Sequence, residues 1–279
     1  AGKMSKTILI TGCSSGLGYD AAHGLKQRGW RVFATCRKEA DCARLRGEGL
    51  ESFRLDYASS ESIDAAVAEV LGRTGGTLDA LYNNGAFALP GAVEDLPREG
   101  LREIYETNLF GVHELSCKII PVMRAQGHGR IINCSSVLGL VPMRWRGAYS
   151  STKFALEGLT DTLRIEMRDT PIHIITVEPG PITSDIRKNS IGPFERHVNW
   201  QASPRRAQYE DSLLKRLYTP TEGPDRFELP ASAVTKKLIH ALESARPKPR
   251  YFVTTPTYLM AAARRILPTR LLDWLIAKS

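Results

Sequence analysis

Residues 6–18 read KTILITGCSSGLG. The first six form a short apolar run with β-branched side chains, the signature of a buried strand, and residues 16–28 resume with helical character. Between them stand glycines at 12, 16 and 18. Backbone approaches a pyrophosphate closely only where side chains are absent, and a helix N-terminus at that place offers unpaired N–H groups and positive potential. A dinucleotide is the natural ligand of such a loop. The flanking strand and helix carry this inference, because the glycines alone would describe an ordinary turn.

Outward from this unit the same alternation continues. Strands are expected at 31–35, 52–55, 78–82, 130–134 and 172–177, and helices at 60–71, 101–124 and 147–167. Strands alternating with helices require right-handed crossovers, which gives an α/β fold with a parallel sheet covered on both faces. From residue 179 the rhythm fails. Residues 184–230 hold many prolines and a basic cluster (Arg187, Lys188, Arg196, Arg205, Arg206, Lys215, Arg216) interspersed with Glu195, Glu210 and Asp211. They read as a solvated basic insertion in a loop near the substrate, with one short helix at 207–216. A helix at 231–244, a strand at 250–253 and an apolar tail follow.

A chain of 279 residues with 42% hydrophobic content is long enough to bury one large core. Residues 4–255 are expected to form a single dinucleotide-binding catalytic domain, and 256–279 an amphipathic extension of it; residues 1–3, before Met4, read as an expression remnant. The formal charge of +8 suits an anionic partner. Nucleic acid is not expected, since the basic residues lack interleaved aromatics and no recognition motif is present. Cys13, Cys36, Cys42, Cys117 and Cys134 contain no CxxC pair, which fits reduced thiols in the cytoplasm. Neither a secretory apolar segment nor a bilayer-length apolar run occurs.

In a dinucleotide fold, an acidic residue about twenty positions past the glycine loop takes the ribose hydroxyls. Here the second strand runs Ala34, Thr35, Cys36, Arg37, Lys38. No carboxylate occupies that place, and Arg37 offers a charge-assisted bond to a 2′-phosphate. NADP is therefore favoured over NAD.

Residues 149–153 read YSSTK. On a helix, Tyr149 and Lys153 stand at i and i+4 on one face, an ammonium beside a phenol. A free tyrosine has a pKa of about 10, and a neighbouring cation is expected to lower it by favouring the phenolate.

With these motifs in order, residues 5–253 resemble the classical short-chain dehydrogenase/reductase family. TGCSSGLG is similar to its TGxxxGxG, YSSTK to its YxxxK, and INCSSVLG (132–139) to its serine segment. The resemblance implies a doubly wound, Rossmann-like parallel sheet of about seven strands that binds NAD or NADP, usually in a homodimer or homotetramer. It implies Tyr149 as general acid or base, with Lys153 as its partner and as a ligand of the nicotinamide ribose. Ser135 and Ser136 point to opposite faces of their strand, so only one can reach the substrate, and the family spacing selects Ser136. Asn108 matches the helix asparagine that holds a water leading protons to the lysine.

For the cofactor, the resemblance implies contacts from Gly12, Ser14, Ser15, Gly16, Leu17 and Gly18, from Asp56 at the adenine, from Asn83 and Gly85, and from Pro179, Gly180, Ile182 and Ser184 around the nicotinamide. The family's NNAG is here Asn83-Asn84-Gly85-Ala86, and its PGxxxT threonine is Ser184.

The fragments VFATCRK and EPGPI, with the apolar tail, look most like the retinol and hydroxysteroid dehydrogenase branch. The expected substrate is a bulky apolar alcohol or carbonyl compound, touched by Leu138, Met143 and Trp145. Phe87, Leu89, Val141, Pro142, Ile186, Ile191 and Phe194 are further candidates for an apolar pocket. The tail closes the cleft, packs on protein or lies on a membrane surface as a peripheral contact, packing being the commoner outcome. A non-catalytic sensor of NADP(H) is the competing function; its mark would be loss of Tyr149, Lys153 or Ser136, and all three are present.

Overall fold

The computed structural model describes residues 4–279; residues 1–3, read as an expression remnant, lie outside the described residues. In chain order the elements are β1 (Thr7–Ile10), α1 (Gly16–Gln27), β2 (Arg31–Cys36), α2 (Glu39–Gly47), β3 (Glu51–Arg54), α3 (Ser60–Thr74), β4 (Ala80–Asn83), α4 (Arg98–Tyr105), α5 (Gly111–Gln126), β5 (Gly129–Cys134), α6 (Gly147–Glu166), β6 (Ile172–Pro179), α7 (Ile186–His197), α8 (Arg206–Gln208), α9 (Leu214–Tyr218), α10 (Ser232–Glu243), β7 (Arg250–Val253), α11 (Thr255–Ile266) and α12 (Thr269–Ala277). Single π turns, at Glu106–Phe110 and Tyr209–Leu213, join α4 to α5 and α8 to α9.

The strands form one sheet in the order β3-β2-β1-β4-β5-β6-β7, and every pairing is parallel. Period-two alternation sorts the apolar residues into two layers. Ile8, Ile10, Val32, Ala34, Tyr82 and Ile132 face one core, shared with Ala21, Leu25 and Leu238 of α1 and α10. Leu9, Phe33, Leu81 and Ile131 face the other, shared with Ile63, Leu115 and Ile119 of α3 and α5. Because both faces are covered, the strands read as continuous apolar runs. The chain leaves β1 toward β2 and β3, then returns to place β4 on β1's other side. That reversal opens a crevice beyond the carboxyl ends of β1 and β4, where ligands bind in such sheets.

The insertion is more ordered than its composition suggests. A third apolar cluster joins Phe194 and Val198 to Leu89, Ile104, Tyr209, Leu213 and Leu217. This burial stabilises α7 although it contains Pro193, which costs one backbone bond. The helix expected at 207–216 is the α8–π–α9 segment. Helix α2 carries no sequence signal strong enough to announce it, since only Cys42 and Leu45 of its residues are buried.

Candidate active site

The crevice is a cleft of about 1240 Å³. Its floor at the β1 end is the glycine loop. Gly12 and Gly16 have φ of +67° and +59°, a conformation that L side chains rarely adopt. A Cβ on Gly12 would lie 2.7 Å from the Gly85 Cα, and one on Gly18 would strike the Gly12 carbonyl oxygen. The loop is thus flattened against β4 and α1, leaving bare backbone at the cleft. Ser184 closes over it, 3.2 Å from where a Cβ on Gly16 would stand. This fits a dinucleotide: a methyl group on Gly12 or Gly18 would meet the neighbouring backbone and force the loop away from the packing that presents it to the cleft.

A buried polar chain fixes this floor. Thr11 Oγ1 lies 2.7 Å from the Tyr57 hydroxyl, which donates to Asn83 Oδ1 at 2.6 Å. Asn83 Nδ2 donates to Asn133 Oδ1 at 2.9 Å, and Asn133 Nδ2 to Thr160 Oγ1 at 3.0 Å. Thr11 Oγ1 also accepts from the backbone N–H groups of Asn84 and Gly85, at 2.9 and 3.0 Å. Buried polar groups must be paired, and this chain pairs them while tying together β1, β4, β5 and α6. The Asn83 side chain is buried and committed to the protein, and Asn84 and Gly85 of the same turn line the cleft.

At the opposite end stand Tyr149, Lys153 and Ser136. Lys153, 3% exposed, donates from Nζ to the Cys134 carbonyl at 2.9 Å and lies 5.4 Å from the centre of the Tyr149 ring. The Tyr149 phenol is raised well above its usual acidity range, chiefly by burial; Cys134 adds to the rise, while a hydrogen bond from Ser136 and the charge of Arg146 oppose it. Burial likewise lowers Lys153. The phenol thus moves up and not down as a neighbouring ammonium would have it, because burial disfavours its charged form.

Ser136 faces this pair, whereas Ser135 is buried with its Oγ turned to Gly139, 2.5 Å from where a Cβ on that glycine would stand. Asn108, fully buried in the π turn, accepts from the Phe87 N–H at 3.0 Å and donates to the Phe87 carbonyl at 2.9 Å and to Thr152 Oγ1 at 3.3 Å. Its amide clamps the segment after β4 to α6, next to Lys153.

Of the other expected residues, Ser14, Ser15, Leu17, Leu138, Met143, Pro179, Gly180 and Ile182 line the cleft. Trp145 does not: it packs against Tyr209, ring centres 4.7 Å apart and planes tilted by 45°, at the third cluster, and borders a separate side cavity. Leu89, Val141 and Phe194 are core residues. Asp56 holds the Ala58 N–H with Oδ1 at 2.9 Å, away from the cleft lining. Arg37 is exposed beyond the end of β2, and its carbonyl accepts from Arg54 Nε at 2.9 Å. The unannounced helix α2 supplies a residue that sequence reasoning missed, Arg44, whose Nη2 donates to the Ser14 carbonyl at 2.6 Å. Its helical spacing from Asp41 and Glu48 was the available signal.

A model of the short chain dehydrogenase family matches residues 6–192, two thirds of the chain. The chain belongs to the short-chain dehydrogenase family. Across the whole length it is similar to the uncharacterized oxidoreductase YbbO of Escherichia coli (strain K12), with 37% identity over 97% of this chain and 93% of the relative. It is 32% identical to human 17-beta-hydroxysteroid dehydrogenase type 6, covering 99% and 89% of the two chains. Among solved structures, a short-chain dehydrogenase from Streptomyces avermitilis superposes with a TM-score of 0.80 at 25% identity, covering 98% and 97%. This short-chain dehydrogenase is thus an oxidoreductase, and its resemblance to the hydroxysteroid branch holds along nearly the full chain.

Proposed function

We propose that the protein interconverts an alcohol and a carbonyl on a bulky, largely apolar, retinoid- or steroid-like substrate, using NADP(H), with Tyr149 as general acid and base. The observation that carries this reading is the convergence of Ser136, Tyr149 and Lys153 at one end of a cleft whose other end is a glycine cradle. Gly12, Ser14, Ser15, Gly16 and Leu17 would hold the pyrophosphate, Arg37 and Arg44 the adenosine phosphate, and Lys153, Pro179, Gly180 and Ile182 the nicotinamide half. When bound, the nicotinamide supplies or accepts the hydride.

The chain's own groups do the rest. Ser136 and Tyr149 donate to the substrate oxygen as negative charge grows there, and this interaction is strongest in the transition state. Burial keeps Tyr149 protonated at neutral pH, which suits it to deliver a proton in the reductive direction. In the oxidative direction Lys153 compensates the phenolate charge. Phe87, Leu138, Met143, Ile186 and Ile191 give the cleft its apolar side.

A homodimer or homotetramer belongs to the same reading, with Phe110, Leu159 and Ile165 exposed on the neighbouring helical segments that would meet a second copy. So does a reducing, cytoplasmic setting, in keeping with five unpaired cysteines. Among the described residues no helix is long and apolar enough to cross a membrane.

The test is NADPH oxidation against a panel of apolar ketones and aldehydes. Tyr149→Phe should lower kcat by about 100-fold or more while NADPH still binds. Undiminished carbonyl reduction by this variant would overturn the assignment.

A further inference from the structure

Arg146 holds the N-cap position of α6, on the substrate side of Tyr149. Its backbone is pinned: the Ser150 N–H donates to its carbonyl at 2.8 Å, and the Gly91 N–H donates to the preceding carbonyl of Trp145 at 3.0 Å. Trp145 itself sits at φ +69°, a costly conformation for a bulky side chain that turns the chain so that Arg146 enters the cleft. The Arg146 side chain borders both the main cleft and a side cavity of about 620 Å³. Among the described residues no carboxylate pairs with it.

The surrounding charges are unbalanced. Arg187 and Arg216 also line the cleft, and both bind the same carboxylate: Arg187 Nη2 lies 3.1 Å from Asp225 Oδ2, and Arg216 Nη1 2.8 Å from Asp225 Oδ1. Glu228 accepts from the Thr183 hydroxyl at 2.9 Å, and Asp185 stands at the start of α7. The side cavity is more one-sided still. Arg144, Lys215 and Lys278 join Arg146 and Arg216 around it, beside the apolar Met143, Trp145, Leu213 and Ile276; among the described residues no aspartate or glutamate side chain lines it, and the terminal carboxylate of Ser279 is the one anionic group in its wall. Burial lowers the Arg146 pKa, and repulsion from Arg216 and Arg187 lowers it further. A half-buried guanidinium without a counter-charge is expensive, and its planar fork matches a carboxylate, sulfonate or phosphate.

We infer that Arg146 receives an anionic group of the substrate, so that the carbonyl reduced at Tyr149 belongs to an amphiphilic acid whose apolar body fills the cleft and whose anion reaches the mouth of the side cavity. This rests on the oxidoreductase reading above and narrows its substrate class. The basic insertion is then no solvated loop: Arg187 and Arg216 supply the positive potential that draws the anion in, and the last turn of α12 forms one wall.

The experiment compares ketone isomers of oxodecanoate with their methyl esters under saturating NADPH, and measures decanoate binding to the NADP-loaded enzyme by calorimetry. A charge-assisted pair should favour acid over ester in kcat/KM by about tenfold or more. Arg146→Gln should bring that ratio near unity through KM, and Arg146→Lys should restore part of it. Decanoate binding should weaken in Arg146→Gln and in high salt.

Equal use of acid and ester by the unaltered enzyme, or a ratio unmoved by Arg146→Gln, would overturn the inference. Turnover of neutral ketones without decanoate binding would leave the oxidoreductase reading standing and sink this one. Arg146-dependent decanoate binding with no turnover of any carbonyl would leave the anion contact standing but sink its assignment to a reduced substrate, together with the reading it rests on. An adventitious preference for anions elsewhere on this basic protein would show as acid selectivity that survives Arg146→Gln, and would also count against it.

Discussion

Tyr149 and Lys153 are ionisable groups in a place where burial penalises charge, and it moves them in opposite directions, the phenol up and the ammonium down. Spacing on a helix puts the two side by side; it says nothing of how dry their surroundings are. Burial thus favours the uncharged form of each, and a phenol kept protonated is the form from which the proposed proton delivery to a substrate oxygen starts. The role proposed for Arg37 rests on the local sequence, because the acidic residue of an NAD-type strand end is missing. Substituting Arg37→Ala should raise KM for NADPH by about tenfold, as expected for loss of a charge-assisted bond, and leave KM for NADH nearly unchanged. Steady-state kinetics with the two cofactors decides this, and an unaltered preference would remove Arg37 from the phosphate site. Arg44 was not legible, since it reaches Ser14 only after α2 has folded back over the glycine loop.

At the scale of elements, β6, β7 and α6 are joined by one cation. Arg250 of β7 binds Glu178 at 2.8 Å, Glu157 at 2.5 Å and Asp161 at 2.5 Å, so three carboxylates share a single guanidinium. Glu178 is fully buried. Burial, then the nearby Glu157, push its pKa from 4.5 up to about 7, against the pull of Arg250. Between those two values the folded chain binds this proton more tightly than the unfolded chain does, so this group's contribution to stability falls as pH rises from 4.5 to about 7. Thermal melting should therefore show a Tm that declines over this window, with the decline reduced in Glu178→Gln. An identical pH dependence in the variant would show that Glu178 titrates normally. The elements themselves were legible wherever apolar periodicity was strong. Helix α7 was not, because Pro193 and Gly192 signal a break and only contact with the third cluster supplies the burial that overrides them.

Over the whole molecule, the cleft is assembled from β1, β4, β5, β6, α6 and the insertion, so a ligand spanning it should stabilise the fold by mass action. At a hundredfold excess over Kd, NADP should add about 2.7 kcal/mol, and NAD at the same concentration less; melting curves with each nucleotide measure the difference, and equal shifts would speak against the cofactor preference. The tail shows a mixed result at this scale. Leu272 is buried and the end of α12 walls the side cavity, yet Leu259, Ile266, Leu271 and Trp274 remain exposed. The sequence by itself determined the parallel α/β sheet, the glycine cradle and the Tyr149–Lys153 pair, because each is written in local spacing: a period of two, a period of 3.6, and glycines where backbone must come close. Only the tertiary structure decided that the Asn83 side chain lies under the site and that Arg146 stands unpaired beside it. Those facts depend on which distant groups pack around a side chain, and burial and pairing have no signature in the residues next to it in the chain.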